Sequence, residues 1–336
     1  MDISTQDQSL ILKQGWSSVF GEDARTAPVE EKRELHYGDR VFSVVLKVAA
    51  GGLVGLLALI GIFLLIRAWP SVTHFGWSFV VTSQWDPVRD IYGALPVVFG
   101  TLVSSLLAML IAVPLSIGIA LFLNELAPRR VARIVGFLVE MLAAIPSVVY
   151  GLWGIFVLAP WLRVTVEPFF AKYFGFLPFF QGPPYGVGMM AAGIILAIMV
   201  IPTISAISRE VFRAIPRSHR EAALALGATR WETMVISVLK SAKTGIMGAT
   251  ILGLGRALGE TMAVTMVIGN RAQISASLFA PGQTMASVIA NEYTEATSDL
   301  HLAALAEIGL LLFAVTFIIN ATARFLVWRL SRRLPA

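Results

Sequence analysis

The sequence contains no cysteine, which excludes disulfide frameworks and thiolate metal sites. Its four histidines, His36, His74, His219 and His301, are scattered over different segments, and no metal-ligand spacing can be read from them. Charge is scarce too: Asp, Glu, Lys and Arg make up 14% of 336 residues, against about 25% in soluble globular chains. The dipeptide Gly-Lys is absent, and with it the G-x-x-x-x-G-K-[ST] loop that cradles nucleotide phosphates. A soluble globule and a P-loop ATPase are both excluded.

Long apolar runs fill the space. Hydrophobic residues make up 57% of the chain, and a membrane-spanning helix needs about 20 predominantly apolar residues. Six segments qualify, near 41–66, 95–123, 134–159, 187–207, 245–269 and 304–327. The pattern predicts an all-α polytopic membrane protein: a tail over 1–40, a six-span domain over 41–328 and a short tail over 329–336. Leu10, Ile11, Leu12, Trp16, Val19 and Phe20 give the first tail the material for a short surface helix.

The net charge of +5 does not point to nucleic acid, because the basic residues gather at span ends. Lys32, Arg33 and Arg40, then Arg129, Arg130 and Arg133, then the run from Arg209 to Lys243, then Arg329, Arg332 and Arg333 all fall on one side. By the positive-inside rule that side is the cytoplasm. Both termini and the loop over 209–243 are expected there.

That loop carries Ser218-His219-Arg220-Glu221-Ala222-Ala223-Leu224-Ala225-Leu226-Gly227-Ala228-Thr229-Arg230-Trp231-Glu232. Ser218 with Glu221, and Thr229 with Glu232, have the form of capping boxes, so two short helices are predicted. Gly227 stands where the first must stop, in a left-handed conformation. Ala222 and Ala223 leave a surface small enough for another backbone to approach.

On the opposite side, Trp69, Phe75, Trp77, Phe79, Trp85 and Tyr92 suit the membrane interface, where amphipathic rings anchor. Residues 160–186, rich in proline, read as a packed loop with at most a short helix, and a long loop runs from Asn270 to Leu302. Within the spans, Pro114, Pro146 and Pro202 each remove a backbone bond. Small residues and hydroxyls surround Pro146, and Ser147 and Tyr150 are positioned to line a path. Glu140 and Glu307 lie near span ends, where the interface accounts for them.

The strongest chemical signal is Gly253-Leu254-Gly255-Arg256-Ala257-Leu258-Gly259-Glu260-Thr261-Met262-Ala263, inside the fifth span. A charge at the bilayer centre costs about 2.5–3.5 kcal/mol on insertion scales, and such groups face a bundle interior or a water-filled cavity. At i and i+4, Arg256 and Glu260 share one face of a helix. They form either a self-neutralising pair or an anion site in which the planar guanidinium forks onto oxyanion oxygens. Gly255 and Gly259 form a G-x-x-x-G that admits a neighbouring helix.

The Glu221-Ala222-Ala223 and Gly227 spacing resembles the EAA loop of ABC importer permeases. That loop, the Asp90–Leu95 and Ala143–Gly151 segments, Gly253–Ala263 and Leu300–Leu305 are together similar to the PstC-type permease of the bacterial phosphate-specific ABC importer, from about residue 38 to residue 330. The resemblance implies the type I importer permease fold and a cytoplasmic coupling helix. It assigns Glu221, Ala222, Ala223 and Gly227 to ATPase coupling and implicates Arg256 and Glu260 in transport; Thr261, Ser147 and Tyr150 are expected beside them on the substrate path. It further implies a PstA-type permease partner, two copies of a PstB-type ATPase holding ATP and Mg, a PstS-type external phosphate-binding protein, and no cofactor in this chain. Where the family continues with Ile and then Leu-Pro, this chain has Ser237, Leu239 and Lys240.

Overall fold

The computed structural model describes residues 37–331; the expected surface helix between Leu10 and Phe20 and the end of the C-terminal tail lie outside them. By their internal contacts the described residues divide into two compact units, one ending at Ala58 and the other beginning at Leu59. Helix α1, Tyr37–Phe75, runs through the boundary. In the first unit its residues are almost all exposed. The second unit holds every other element.

Among the described residues, six helices are long and apolar enough to cross a membrane, and no strand is present beyond an isolated bridge between Asp86 and Ile91. The core is α2, Leu95–Leu121, packed along α5, Met189–Ala214. Small residues make the approach possible: Ala108, Ala112, Ala192 and Ala197 are buried, and a Cβ on Gly193 would strike the Leu107 side chain. Pro202 lies inside α5 and cannot donate to the helix ladder. Nearby carbonyls also take hydroxyls, Ser116 donating to Ile201 O at 3.2 Å and Ser205 to Pro202 O at 3.2 Å.

The third apolar run is two helices rather than the single helix expected over 134–159. Helix α3, Arg129–Ala144, ends at Ile145, and α4, Ser147–Trp153, begins after Pro146. The residue before a proline is pushed out of the α region by the ring, and Ile145 has φ −68° and ψ 128°. Helical structure then continues to Phe174, so residues 160–174 are not the loop expected from their prolines. Two π turns, Gly154–Leu158 and Leu162–Val166, sit just ahead of Pro160 and Pro168. A widened turn gives each ring room and absorbs its missing donor.

The loop after α5 forms α6, Arg217–Ala225. A turn follows, then α7, Arg230–Thr233, which does not end as a separate short helix. It passes through a π turn, Met234–Leu239, directly into α8, Lys240–Gly259. The family's Leu-Pro is replaced there by Leu239 and Lys240, and nothing stops the helix. Helix α9, Met262–Val267, resumes after a break at Glu260. The loop from Asn270 to Leu302 holds α10, Met285–Glu292, opened by a Thr284–Ser287 capping box, and α11, Asp299–Ser331, is the last helix.

Four of the six rings expected at the membrane interface are instead packed inside. Phe79 and Tyr92 are buried with Met285, Val288, Ala304, Leu305 and Ile308, and Phe75 and Trp85 pack against that cluster; Trp77 is 88% exposed. Glu307, expected near an interface, is buried, and its Oε2 has no hydrogen-bond partner.

Candidate functional site

The breaks in the third and fifth apolar runs lie side by side. Helix α4 packs on α9 because Gly151 has no side chain: a Cβ there would meet Met266 Sδ and lie 3.2 Å from Ala263 Cα. One turn further on, Gly154 admits Val267 and Ile195 of α5. Tyr150 is buried and donates from its hydroxyl to Leu142 O at 2.7 Å, closing the gap left between α3 and α4. Its proton is committed to that carbonyl. Ser147, half-buried, starts α4 beside it.

The fifth span breaks without a proline. Helix α8 ends at Gly259, and Glu260 is extended, with φ −70° and ψ 127°. Arg256 and Glu260 therefore do not share a helical face, and among the described residues no ion pair joins them, contrary to the i,i+4 expectation. Glu260 Oε1 instead accepts from Ala263 N at 3.4 Å, at the head of α9. Thr261 Oγ1 donates back to Gly259 O at 3.3 Å, and Thr261 O accepts from Thr265. Of the two glycines, Gly255 faces Asn320 of α11, while a Cβ on Gly259 would meet nothing.

Arg256 is exposed and makes no hydrogen bond or ion pair among the described residues. It lies one helical turn ahead of the break at Glu260. It sits on α8 between Gly253, which packs on Val200 and Ile204, and the α4–α9 contact, well inside the bundle's length. A guanidinium at that level cannot be left to hydrocarbon; it needs water, another protein or an anion. The structure thus brings Arg256, Glu260, Thr261, Ser147 and Tyr150 to one junction, with Tyr150 holding the break.

One ion pair joins charges that the sequence presents separately at span ends. Arg209 Nη1 lies 3.5 Å from Glu140 Oε1, and its guanidinium occupies the space that Gly136 leaves free. Gly136 and Glu140 lie one turn apart on α3, but no sequence signal joins them to Arg209 on α5.

In the polar loop, Gly227 has φ +85°, as its place at the end of α6 requires. Thr229 and Glu232 form a full capping box, but Ser218 and Glu221 do not: Pro216 takes the cap position and α6 starts at Arg217, without a side-chain cap. Glu221 and Ala222 are exposed and Ala223 is half-buried. Beside them Leu226 is 90% exposed and Trp231 66%, so the loop offers an apolar, unpartnered surface. Arg220, one of the basic residues expected to mark the cytoplasmic side, reaches back to Glu125 at 2.7 Å.

The Asp90–Leu95 and Leu300–Leu305 segments also meet. Trp85 Nε1 donates to both Glu292 oxygens at 2.9 and 3.1 Å, and His301 Nε2 lies 3.0 Å from Glu292 Oε2. Tyr92 stacks on His301 with centroids 5.3 Å apart and donates to Asp90 at 3.3 Å. Burial first, and then the Asp90 charge, push the Tyr92 phenol up to about 12. A cavity of about 600 Å³ opens beside this knot, lined in part by Asp90, Glu292, Glu295 and His301.

The sequence profile of the family described as "Binding-protein-dependent transport system inner membrane component" matches residues 112–334. The "Phosphate transport system permease protein PstC" of Mesorhizobium japonicum is 46% identical over 308 residues, 90% of this chain and 94% of the relative. The protein of the same name from Xylella fastidiosa is 50% identical, over 77% of this chain and 81% of the relative. A bacterial alginate ABC transporter, solved with an alginate pentasaccharide-bound periplasmic protein, superposes with a TM-score of 0.58 at 15% identity, over 88% of this chain and 98% of that one. At that identity the likeness is one of fold. A multi-pass inner-membrane protein with the type I ABC importer permease fold, the chain belongs to the binding-protein-dependent transport system inner membrane component family, among its PstC-type permeases.

Proposed function

We propose that this chain is the permease subunit that carries inorganic phosphate into the cytoplasm in an ATP-driven importer. The observation that carries the reading is Arg256, exposed and unpaired where two broken spans meet. A planar cation there can fork onto phosphate oxygens, and Glu260, free of it, limits how tightly the anion is held. The names of the relatives support phosphate over other oxyanions.

Energy comes from a separate ATPase, which binds ATP and Mg; this subunit forms no covalent intermediate. Both termini and the loop over 209–243 face the cytoplasm, following the distribution of Lys and Arg. The exposed surface of Glu221, Ala222, Ala223, Leu226 and Trp231 takes the ATPase, and Gly227 ends the helix that carries it. A PstA-type permease completes the path, and an external PstS-type binding protein delivers phosphate. Closure of the ATPase dimer carries α6 with it, and the spans re-aim the cavity from outside to inside.

The test is reconstitution of the full set of subunits in vesicles, with radiolabelled phosphate and an excess of unlabelled sulfate or molybdate. ATP-dependent uptake that sulfate and molybdate leave intact is expected. Competition by another oxyanion would move the substrate to that anion, and uptake by this chain alone on an ion gradient would overturn the ATPase-coupled reading.

A further inference from the structure

We propose that Arg220 and Glu125 are positioning residues that clasp α6 to the inner ends of the second and fourth spans, so that displacement of α6 moves them as one body. The inference rests on the reading of α6 as the helix that meets the ATPase. Between α5 and α6 the chain has only Ile215 and Pro216, both extended, with ψ of 124° and 141°. Left alone, two such residues are a hinge, and a hinge absorbs the motion it is meant to pass on.

Arg220 bridges that hinge. It lies in the first turn of α6, yet its Nη2 donates to Phe212 O at 3.0 Å and its Nη1 to Ile215 O at 3.0 Å. These carbonyls close α5, where helix termination leaves acceptors unpaired and the dipole favours a cation. The same guanidinium donates twice to Glu125 Oε1, from Nη2 at 2.7 Å and Nε at 3.2 Å. Glu125 belongs to the π turn Phe122–Leu126 that ends the second span, and Asn124 Nδ2 donates to the same oxygen at 2.7 Å. The side chains of Arg220 and Glu125 are 19% and 14% exposed, so the pair is shielded from the screening that makes surface ion pairs weak.

The fifth span is attached to the same helix by a different bond, Ser237 Oγ donating to His219 O at 3.0 Å. Among the described residues no other arginine–carboxylate pair combines this shortness with this burial: Arg213–Glu210 is exposed on one helix, Arg209–Glu140 is 3.5 Å long and Arg89–Asp86 3.6 Å. A clasp that only stabilised the fold would change yield. One that transmits motion changes how much ATP each phosphate requires.

The experiment uses the complete importer in vesicles with phosphate-loaded binding protein, and reads ATP hydrolysed per phosphate imported alongside ATPase copurified. Glu125→Gln and Arg220→Lys each keep polar contacts but lose the forked ionic bond. Both should assemble with wild-type amounts of ATPase and raise the ratio roughly 5-fold or more. The chain has no native cysteine, so a Glu125→Cys/Arg220→Cys variant can be bridged by a short thiol cross-linker. It should be uncoupled before cross-linking and return toward the wild-type ratio after it. An unchanged ratio in assembled Glu125→Gln and Arg220→Lys complexes overturns the clasp, as does a bridged cysteine pair that stays uncoupled. A wild-type chain that copurifies no ATPase overturns the reading of α6 instead, a separately visible result.

Discussion

Substitution of Arg256 and Glu260 by Gln, singly and together, separates folding from transport. Arg256 is exposed and gives up no hydrogen bond or ion pair within the described residues, so Arg256→Gln should change stability by no more than about 0.5 kcal/mol. Glu260→Gln keeps an oxygen to accept from Ala263 N and strands no guanidinium. A buried i,i+4 pair would instead cost roughly 3–5 kcal/mol on removal of either partner. Transport should respond in the opposite way. A fork onto phosphate supplies two charge-assisted hydrogen bonds of about 1.5–3 kcal/mol each. Their sum, roughly 3–6 kcal/mol, corresponds to about a 10²- to 10⁴-fold loss of uptake at limiting substrate. Arg256→Lys keeps the charge without the planar fork and should fall between. Initial uptake rates in reconstituted vesicles, normalised to folded protein by size-exclusion fluorescence, give both quantities. Wild-type uptake by a well-folded double Gln variant would refute the anion site. A collapse of folding in Glu260→Gln would refute the unpaired geometry.

Gly151→Val should cost about 1–3 kcal/mol by overpacking and slow uptake. Met266→Ala in the same chain should restore part of the stability, because Met266 is one of the atoms met; additive losses in thermal unfolding would argue against that contact. Gly227→Val meets nothing within 4 Å but sits at φ +85°, so the strain is roughly 1–2 kcal/mol of left-handed backbone. Membrane insertion should survive while uptake and ATPase copurification drop, with Gly227→Asn milder; unchanged copurification in Gly227→Val removes the case for docking. Tyr92, whose folded pKa of about 12 lies above the ordinary tyrosine value of 10.0, contributes stability that is complete below pH 10 and lost as pH rises through about 12. Wild type and Tyr92→Phe should therefore give the same tyrosinate absorbance up to about pH 11, and a difference there would sink the assignment.

Much of the fold was legible because the bilayer imposes a length and a hydropathy that six runs meet in the open. A disturbance at Pro146 was visible, since proline acts on its own neighbours regardless of context, but the full separation into two helices was not. Nor was the Glu260 break. No local residue type forces it, and it goes with the packing of Ala263 and Met266 on Gly151, more than a hundred residues away in the chain. Reading Arg256 and Glu260 as helical neighbours followed from assuming the helix continued. Gly227 was predictable from its missing Cβ, whereas Ser218 lost its capping role to Pro216, two residues earlier. Burial of Phe79 and Tyr92 could not be told from interfacial anchoring, because both roles use the same rings.

The knot around Glu292 has a consequence for any encounter on its face of the molecule. Trp85, Tyr92, Glu292 and His301 hold one another through hydrogen bonds and ring contacts. Immobilising a rotamer-rich side chain on association costs about 0.5–1.5 kcal/mol. Here four side chains have lost that freedom during folding, before anything arrives. A partner that lands beside them meets a pre-organised surface, and the rate of productive contact is set by its own orientation rather than by a search among rotamers on this side.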